Sequence, residues 1–97
     1  MATYVVLLRF TERGVEHIKD TCKRAAEFKA HAQKHGIAVK EQYWCLGAYD
    51  GLVTFDAPDD ETATAAMLSL SSRDSVTTQT LRAFTATEMS KILDKVK

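Results

Sequence analysis

The amino-acid sequence predicts an α+β fold of the ferredoxin-like type, with the element order βαββαβ and an extra helix at the C-terminus. Two patterns lead to this prediction. Strand-like apolar runs alternate with segments whose apolar residues recur at helical spacing. Gly, Pro and capping signals separate these segments, and no repeat or linker interrupts them. We therefore expect residues 1–97 to form a single domain.

The first part of the chain predicts a strand and a long helix. Residues 4–10 form a continuous apolar run, which is typical of a strand buried on both faces. Thr11 is placed to cap the helix that follows, and Gly36 is placed to end it. A second capping signal at Asp20-Thr21 predicts a break or kink within this helix. Its apolar stripe consists of Val15, Ile18, Cys22, Ala25, Phe28 and Ala32.

The middle of the chain predicts a hairpin around which the rest of the fold is organised. Residues 37–46 have mixed polarity on both faces, which favours an edge strand, and residues 51–57 form the next strand. Gly47 lies in the turn between them. With regular alternation, the two faces of the first strand carry Ala38, Lys40, Gln42 and Trp44 on one side and Val39, Glu41, Tyr43 and Cys45 on the other.

The last part of the chain predicts a helix, a strand and a final helix. Residues 58–61 open the first of these helices, and residues 69–72 are expected to fray into a turn. Residues 76–83 are rich in Thr and predict the fourth strand. Residues 85–88 form a Thr-x-x-Glu capping box. The apolar residues that follow it at helical spacing are Met89, Ile92, Leu93 and Val96.

Composition excludes several classes of function. Thirteen basic and thirteen acidic residues cancel, so net charge attracts the protein neither to nucleic acid nor to an anionic membrane. Arg9 interrupts the first apolar run, which therefore resembles neither a signal peptide nor a membrane span. Cys22 and Cys45 lack metal or disulfide spacing, and His31 and His35 lack the Glu of a zinc-helix motif. We expect a cytoplasmic protein with reduced thiols and no metal or cofactor.

Six residues are candidates for a ligand site: Arg9, Tyr43, Trp44, Tyr49, Asp50 and Arg82. Tyr49 and Asp50 place a phenol and a carboxylate together, as groups for acid–base chemistry or ligand hydrogen bonds. Alternatively, Asp50 binds amides of the turn and Tyr49 packs on a neighbouring subunit. Tyr43 and Trp44 point to opposite faces, each as a core or interface anchor or as a wall of a pocket.

The two arginines of this set require partners, because a guanidinium within a strand is costly to leave unpaired. Arg9 and Arg82 both lie late in strands that are neighbours in a ferredoxin-like sheet. Either an anionic ligand or a salt bridge can satisfy them. The candidate salt-bridge partners are Glu41, Asp50 and Asp56.

Residues 43–50, Tyr-Trp-Cys-Leu-Gly-Ala-Tyr-Asp, resemble the signature of the GYD-domain family, named for a group found here as Gly47, Tyr49 and Asp50. Residues 4–11, 57–60 and 78–85 also resemble it. The family is small, bacterial and archaeal and largely uncharacterised, and its members resemble dimeric α+β barrel proteins. The resemblance implies a homodimeric module that binds a small molecule or a protein partner.

Two further expectations concern assembly and chemistry. Helices on one face of the sheet leave apolar side chains on the other face, and a second copy packed sheet to sheet would cover them. The alternative function is an enzyme, because dimeric α+β barrel relatives include cofactor-free oxygenases and haem-handling proteins. Such an enzyme needs a pocket between sheet and helices that brings Tyr43 or Trp44 close to Asp50 or His31.

Overall fold

A computed structural model describes all residues from Met1 to Lys97 and confirms the α+β class. The strands form one antiparallel four-stranded sheet in the order β2-β3-β1-β4, which is the ferredoxin-like order. The elements in chain order are β1 (Ala2–Phe10), α1 (Glu12–Glu16), a 3₁₀ turn (Ile18–Asp20), α2 (Thr21–Lys34), β2 (Ala38–Trp44), β3 (Gly51–Ala57), α3 (Asp60–Ser71), β4 (Val76–Ala83) and α4 (Ala86–Leu93).

The core lies between α2, α3 and one face of the sheet, which we call the helix-covered face. Strand β3 alternates strictly, so that its buried residues face the helices and its half-buried ones face away. Tyr4 stacks on Phe55 with ring centroids 5.2 Å apart. The buried residues are Tyr4, Val6, Phe28, Ala32, Ile37, Val53, Phe55, Ala57, Ala63 and Met67. They concentrate at the end of the sheet where β1 begins.

The other side of the sheet, which we call the open face, is not covered by any helix of the chain. Val5 and Leu7 of β1 are half-buried there, whereas Tyr4 and Val6 are buried on the helix-covered face. The expectation that β1 is buried on both faces is therefore correct for only one of them. Arg9 is exposed on the open face, on the same side as Val5 and Leu7, as predicted.

The first helical region is broken at the predicted place, but the Asp20 side chain makes no capping hydrogen bond to α2. The Thr11 side chain caps α1 by accepting a hydrogen bond from the Gly14 N–H at 3.1 Å, and a 3₁₀ turn then separates α1 from α2. The predicted apolar stripe is correct in its last part, where Phe28 and Ala32 are buried. It is wrong in its first part, because the break turns those positions away from the sheet. The exposed members are Val15, Ile18 and Cys22.

Strand β2 is the edge strand, as predicted, but it is shorter than residues 37–46 and irregular. Its register with β3 shifts between Val39 and Glu41, so Lys40 is the extra residue of a β-bulge. The bulge interrupts the alternation, and the predicted faces of Ala38 and Val39 are therefore exchanged. The helix-covered face carries Val39, Gln42 and Trp44, and the open face carries Ala38, Glu41 and Tyr43.

The second half of the chain matches the sequence expectations with one change. Helix α3 continues through Ser71, so the predicted fraying turn over residues 69–72 is largely helical. The last turn stays closed because the Ser72 N–H donates to the Leu68 carbonyl at 2.9 Å. Strand β4 has the predicted bounds. None of the helices combines the length and the apolar character that a bilayer-spanning segment requires.

Helix α4 is fully formed but has no buried residue. Both hydrogen bonds of its capping box are present: the Glu88 N–H donates to Thr85 Oγ1 at 3.2 Å, and the Thr85 N–H donates to Glu88 Oε1 at 2.9 Å. The Cα radius of gyration is 14.6 Å, whereas a compact chain of this length has about 12.5 Å. The molecule is therefore elongated.

We expect Phe55→Ala to lower the free energy of unfolding by about 3–5 kcal/mol, since it empties a fully buried site in the middle of the core. Phe84→Ala is the matched control, because the Phe84 side chain is 51% exposed. It should cost about 1 kcal/mol or less. Urea unfolding followed by circular dichroism measures both, and similar losses in the two variants would contradict this description of the core.

Candidate functional site

Asp50 fixes the turn between β2 and β3 and joins it to β1. The Cys45 N–H donates to the Asp50 carbonyl at 2.8 Å, and the Asp50 N–H donates to the Leu8 carbonyl at 2.8 Å. The Asp50 carboxylate accepts the Phe10 N–H at 2.8 Å. Gly47 has a φ of +126°, a backbone conformation that favours glycine. Asp50 thus holds the hairpin to β1, and the amide that its carboxylate binds belongs to β1 and not, as one interpretation expected, to the turn.

Tyr49 lies at the open face and contacts residues of its own chain. Its hydroxyl donates a hydrogen bond to Gln79 Oε1 at 2.8 Å. The Arg9 guanidinium carbon lies 4.8 Å from the centroid of the Tyr49 ring, which is the geometry of a cation–π contact. Arg9, Tyr49 and Gln79 therefore form one cluster that crosses from the hairpin over β1 to β4.

Arg9 and Arg82 do not meet. In the antiparallel pairing of β1 with β4, Arg9 is opposite Thr77 and Arg82 is opposite Tyr4. Two residues that are late in antiparallel neighbours lie at opposite ends of the sheet, and these two also lie on opposite faces. The Arg82 guanidinium carbon is 4.5 Å from the centroid of the Phe84 ring. The neighbouring strands were predicted correctly, but they do not bring the two guanidinium groups together.

The predicted salt bridges of these arginines with Glu41, Asp50 and Asp56 are absent. The ion pair of the structure joins Lys40 Nζ to Asp56 Oδ2 at 3.7 Å, and it lies at the exposed bulge of β2. Glu41 instead accepts a hydrogen bond from the Tyr43 hydroxyl at 2.7 Å. This hydrogen bond raises the pKa of Tyr43. Both arginines contact aromatic rings instead of carboxylates.

A cavity of about 190 Å³ lies between α2 and the helix-covered face, at the hairpin end of the sheet. The Trp44 indole N–H donates to Thr21 Oγ1 at 3.0 Å, and Gln42 Nε2 donates to the Ala25 carbonyl at 3.4 Å. These bonds attach the edge strand to α2 and make Trp44 a wall of the cavity. The main apolar lining residues are Leu8, Phe10, Phe28, Val53, Leu70 and Val76.

The cavity contains only part of the predicted set. The candidates that line it are Trp44, Asp50 and Tyr43, although the register of Tyr43 with Leu52 places it on the open face. The candidates that lie outside it are Arg9, Tyr49 and Arg82. Sequence reasoning missed Arg24 and Arg73, which also line the cavity. Helical spacing could have identified Arg24, because it is adjacent to Ala25 and lies one helical turn before Phe28, and both of these residues belong to the predicted stripe. Arg73 follows α3 in a turn, and no periodicity indicates its direction.

The enzyme hypothesis required a pocket between sheet and helices, and the structure has one. Its aromatic wall and Asp50 are present, but His31 lines a separate groove between α2 and α3. There His31 and His35 are in contact, with ring centroids 4.6 Å apart. No third His, Cys or carboxylate side chain joins them in a cluster that could hold a metal ion.

The shifted pKa values all arise from hydrogen bonds that also support the fold. The Tyr4 hydroxyl donates to the Asp60 carboxylate, and this bond raises the pKa of Tyr4. Asp59 and Glu88 accept amide hydrogen bonds at the first turns of α3 and α4, and these bonds lower their pKa values. The residues with shifted pKa values, Tyr43 among them, are therefore residues whose hydrogen bonds hold helices and strands in place.

Comparison with known proteins places this geometry in context. The model of the GYD domain family matches residues 4–93, which include the hairpin and α4. A protein of Thermus thermophilus described as "Glutamine synthetase and cystathionine beta-lyase binding protein" is 36% identical over 90 residues, which are 92% of this chain and 95% of that protein. No solved structure matches significantly. The resemblance seen in the sequence is confirmed.

We expect Asp50→Ala to lower the free energy of unfolding by about 1–3 kcal/mol, because it leaves the Phe10 N–H without its acceptor. Asp50→Asn retains an acceptor oxygen and should cost less. Asp94→Ala, at an exposed position after α4, is the control and should change stability by less than about 0.5 kcal/mol. Chemical unfolding of the three variants measures the differences. An Asp50→Ala variant as stable as the parent would remove the structural role of this carboxylate.

Proposed function

The chain belongs to the GYD domain family, and we propose that it is a homodimeric binding module that docks on a partner protein. The name of its Thermus thermophilus relative makes a glutamine synthetase and a cystathionine beta-lyase the first partners to test. The relative is similar over nearly the whole of both chains, so its binding surface has a counterpart here. The observation that carries the proposal is the uncovered apolar stripe of α4.

This stripe consists of Met89, Leu93 and the half-buried Ile92, and Val96 follows just after the helix ends; none of these residues belongs to the core or packs against it. Leu93 is 55% exposed. The capping box holds α4 in its helical form before any partner arrives, which reduces the entropy lost on docking. A preformed amphipathic helix fits an apolar groove on another protein, a common mode of recognition. For these reasons we propose that α4 is the surface that binds the partner enzyme.

The open face of the sheet is the surface that we assign to a second copy. Its centre is apolar and crosses all four strands. Leu81 and Tyr43 are exposed there although they are large. Isolated apolar residues are common on protein surfaces, but a contiguous set on one sheet face indicates an interface. The apolar side chains of this centre are Val5, Leu7, Tyr43, Leu52 and Leu81.

The charges around this centre favour a copy of the same face as its partner. Asp56 lies at the end of the open face where β1 begins and pairs with Lys40, and Glu41 lies nearer the middle, level with Val5. Arg9 lies at the opposite end. A two-fold axis running across the strands reverses the second copy, so that Arg9 of one copy approaches the end of the other that carries Asp56. This placement supports a second copy of the same face as the partner.

We expect Met89→Lys to weaken partner binding at least about tenfold, because it places a charge within the apolar stripe of α4. Thr87→Lys adds the same charge on the opposite side of α4 and should leave binding unchanged. Biolayer interferometry with purified glutamine synthetase and cystathionine beta-lyase of the same organism measures both. Absence of binding by the unmodified protein to either enzyme would refute these partners, and equal loss in both variants would refute the role of the stripe.

We expect Leu81→Lys to convert the dimer to a monomer, since it buries an unpaired charge in the centre of the sheet-to-sheet interface. Leu68→Lys is the control, because Leu68 is 67% exposed on α3, which packs on the other side of the sheet. Sedimentation velocity at micromolar concentration distinguishes the states. A monomeric parent protein, or a Leu81→Lys variant that remains dimeric, would contradict the assignment of the open face.

A further inference from the structure

We propose that the cavity between α2 and the sheet binds a compact apolar molecule that carries a carboxylate. The inference concerns a small-molecule site and is independent of the protein-docking function proposed above. It begins from packing: the core residues concentrate at the end of the sheet where β1 starts. At the hairpin end, Leu8, Phe10 and Leu70 line a cavity and do not close on one another.

The size and lining of this cavity fit one ring with a short substituent. Its volume is about 190 Å³, and an apolar cavity of about 150 Å³ is large enough to bind benzene. The floor is formed by apolar side chains of the strands and the wall by the Trp44 indole. Such a surface favours a planar or branched apolar body, since it stacks and buries apolar area together.

The polar lining includes both signs of charge, and their environments differ. Arg24 is half-buried, and its guanidinium donates to the carbonyls of His17 at 3.0 Å and Gly14 at 3.4 Å. Neutral carbonyls hold the group in place without cancelling its charge. Arg73 is a second cation in the lining and has no ion pair.

The acids of the lining oppose a carboxylate less strongly than these cations favour it. The Asp50 carboxylate already accepts the Phe10 N–H. Glu27 is exposed to solvent, as Arg73 is, so that solvent screens both charges and leaves the half-buried Arg24 as the main cation. Thr21, at the first turn of the fourteen-residue helix α2, adds the positive end of the helix dipole to the same rim. The balance at the mouth therefore favours an anionic substituent on an apolar body.

The first test compares three probes that each contain the same phenyl ring and differ in their polar group. Phenylacetate, 2-phenylethylamine and 2-phenylethanol present a carboxylate, an ammonium and a hydroxyl group. We expect phenylacetate to bind about tenfold more tightly than the amine, which corresponds to about 1.4 kcal/mol, and more tightly than the alcohol. Trp44 is the only Trp of the chain and a wall of the cavity, so its fluorescence reports occupancy. Isothermal titration calorimetry gives an independent affinity.

The second test blocks the cavity. Ala25→Phe fills it from α2, and Ala26→Phe adds the same ring at the adjacent exposed position, which is not part of the lining. We expect the first to abolish phenylacetate binding and the second to preserve it. Circular dichroism establishes that each variant is folded. If Ala25→Phe does not fold, Arg24→Gln provides the decisive measurement, with loss of the preference for phenylacetate over 2-phenylethanol.

Four outcomes would overturn the proposal. The first two are no saturable binding of phenylacetate and equal affinity for the acid and the amine. The others are binding that persists in a folded Ala25→Phe variant and a charge preference that is unchanged in Arg24→Gln. None of these outcomes depends on α4 or on the open face. Partner binding and dimerisation can therefore fail while the cavity binds its ligand, and the reverse also holds.

Discussion

The hydrogen bond from the Phe10 N–H to the Asp50 carboxylate is the contact on which the organisation of the molecule depends. It joins the turn between β2 and β3 to the end of the central strand β1. The residues on the two sides of this turn lie on opposite faces of the sheet. Trp44, before the turn, lies on the helix-covered face and contacts α2. Tyr49, after the turn, lies at the open face under Arg9. One carboxylate thus positions an aromatic residue on each side of the sheet, one at the cavity and one at the proposed dimer surface.

The fold was predictable because its signals are local. Alternation in β3, the cap at Thr11 and the capping box at Thr85 each specify a conformation within a few residues. The errors arose where a neighbouring element decides the outcome. The bulge at Lys40 depends on the register with β3, and the exposure of Val15 depends on where the helix break directs α1. Neither can be read from the period of the local sequence.

The candidate site was less predictable, because it combines residues from distant parts of the chain. The hairpin motif identified Tyr43, Trp44 and Asp50, since unusual residue types are grouped there. It could not show that Arg24 lies opposite them, which follows from the crossing of α2 over the sheet. The expectation that Arg9 pairs with either an anionic ligand or a salt-bridge carboxylate did not include an aromatic ring. An aromatic ring at 4.8 Å stabilises an exposed guanidinium without an ion pair.

The residues that stabilise the fold and the residues that we propose to bind a ligand or a partner lie in different parts of the molecule. A chain of 97 residues buries only about two thirds of its unfolded surface, so it cannot fill every layer between its elements. Here the filled part surrounds Phe55, with the N-terminal part of β1, the second half of α2, and Ala63 and Met67 of α3. Residues 44–50 of the hairpin and helix α4 contain no buried residue, whereas the Phe55 end does. Exposed side chains there can therefore change at little cost to folding, with the exception of Asp50, whose carboxylate holds the hairpin to β1.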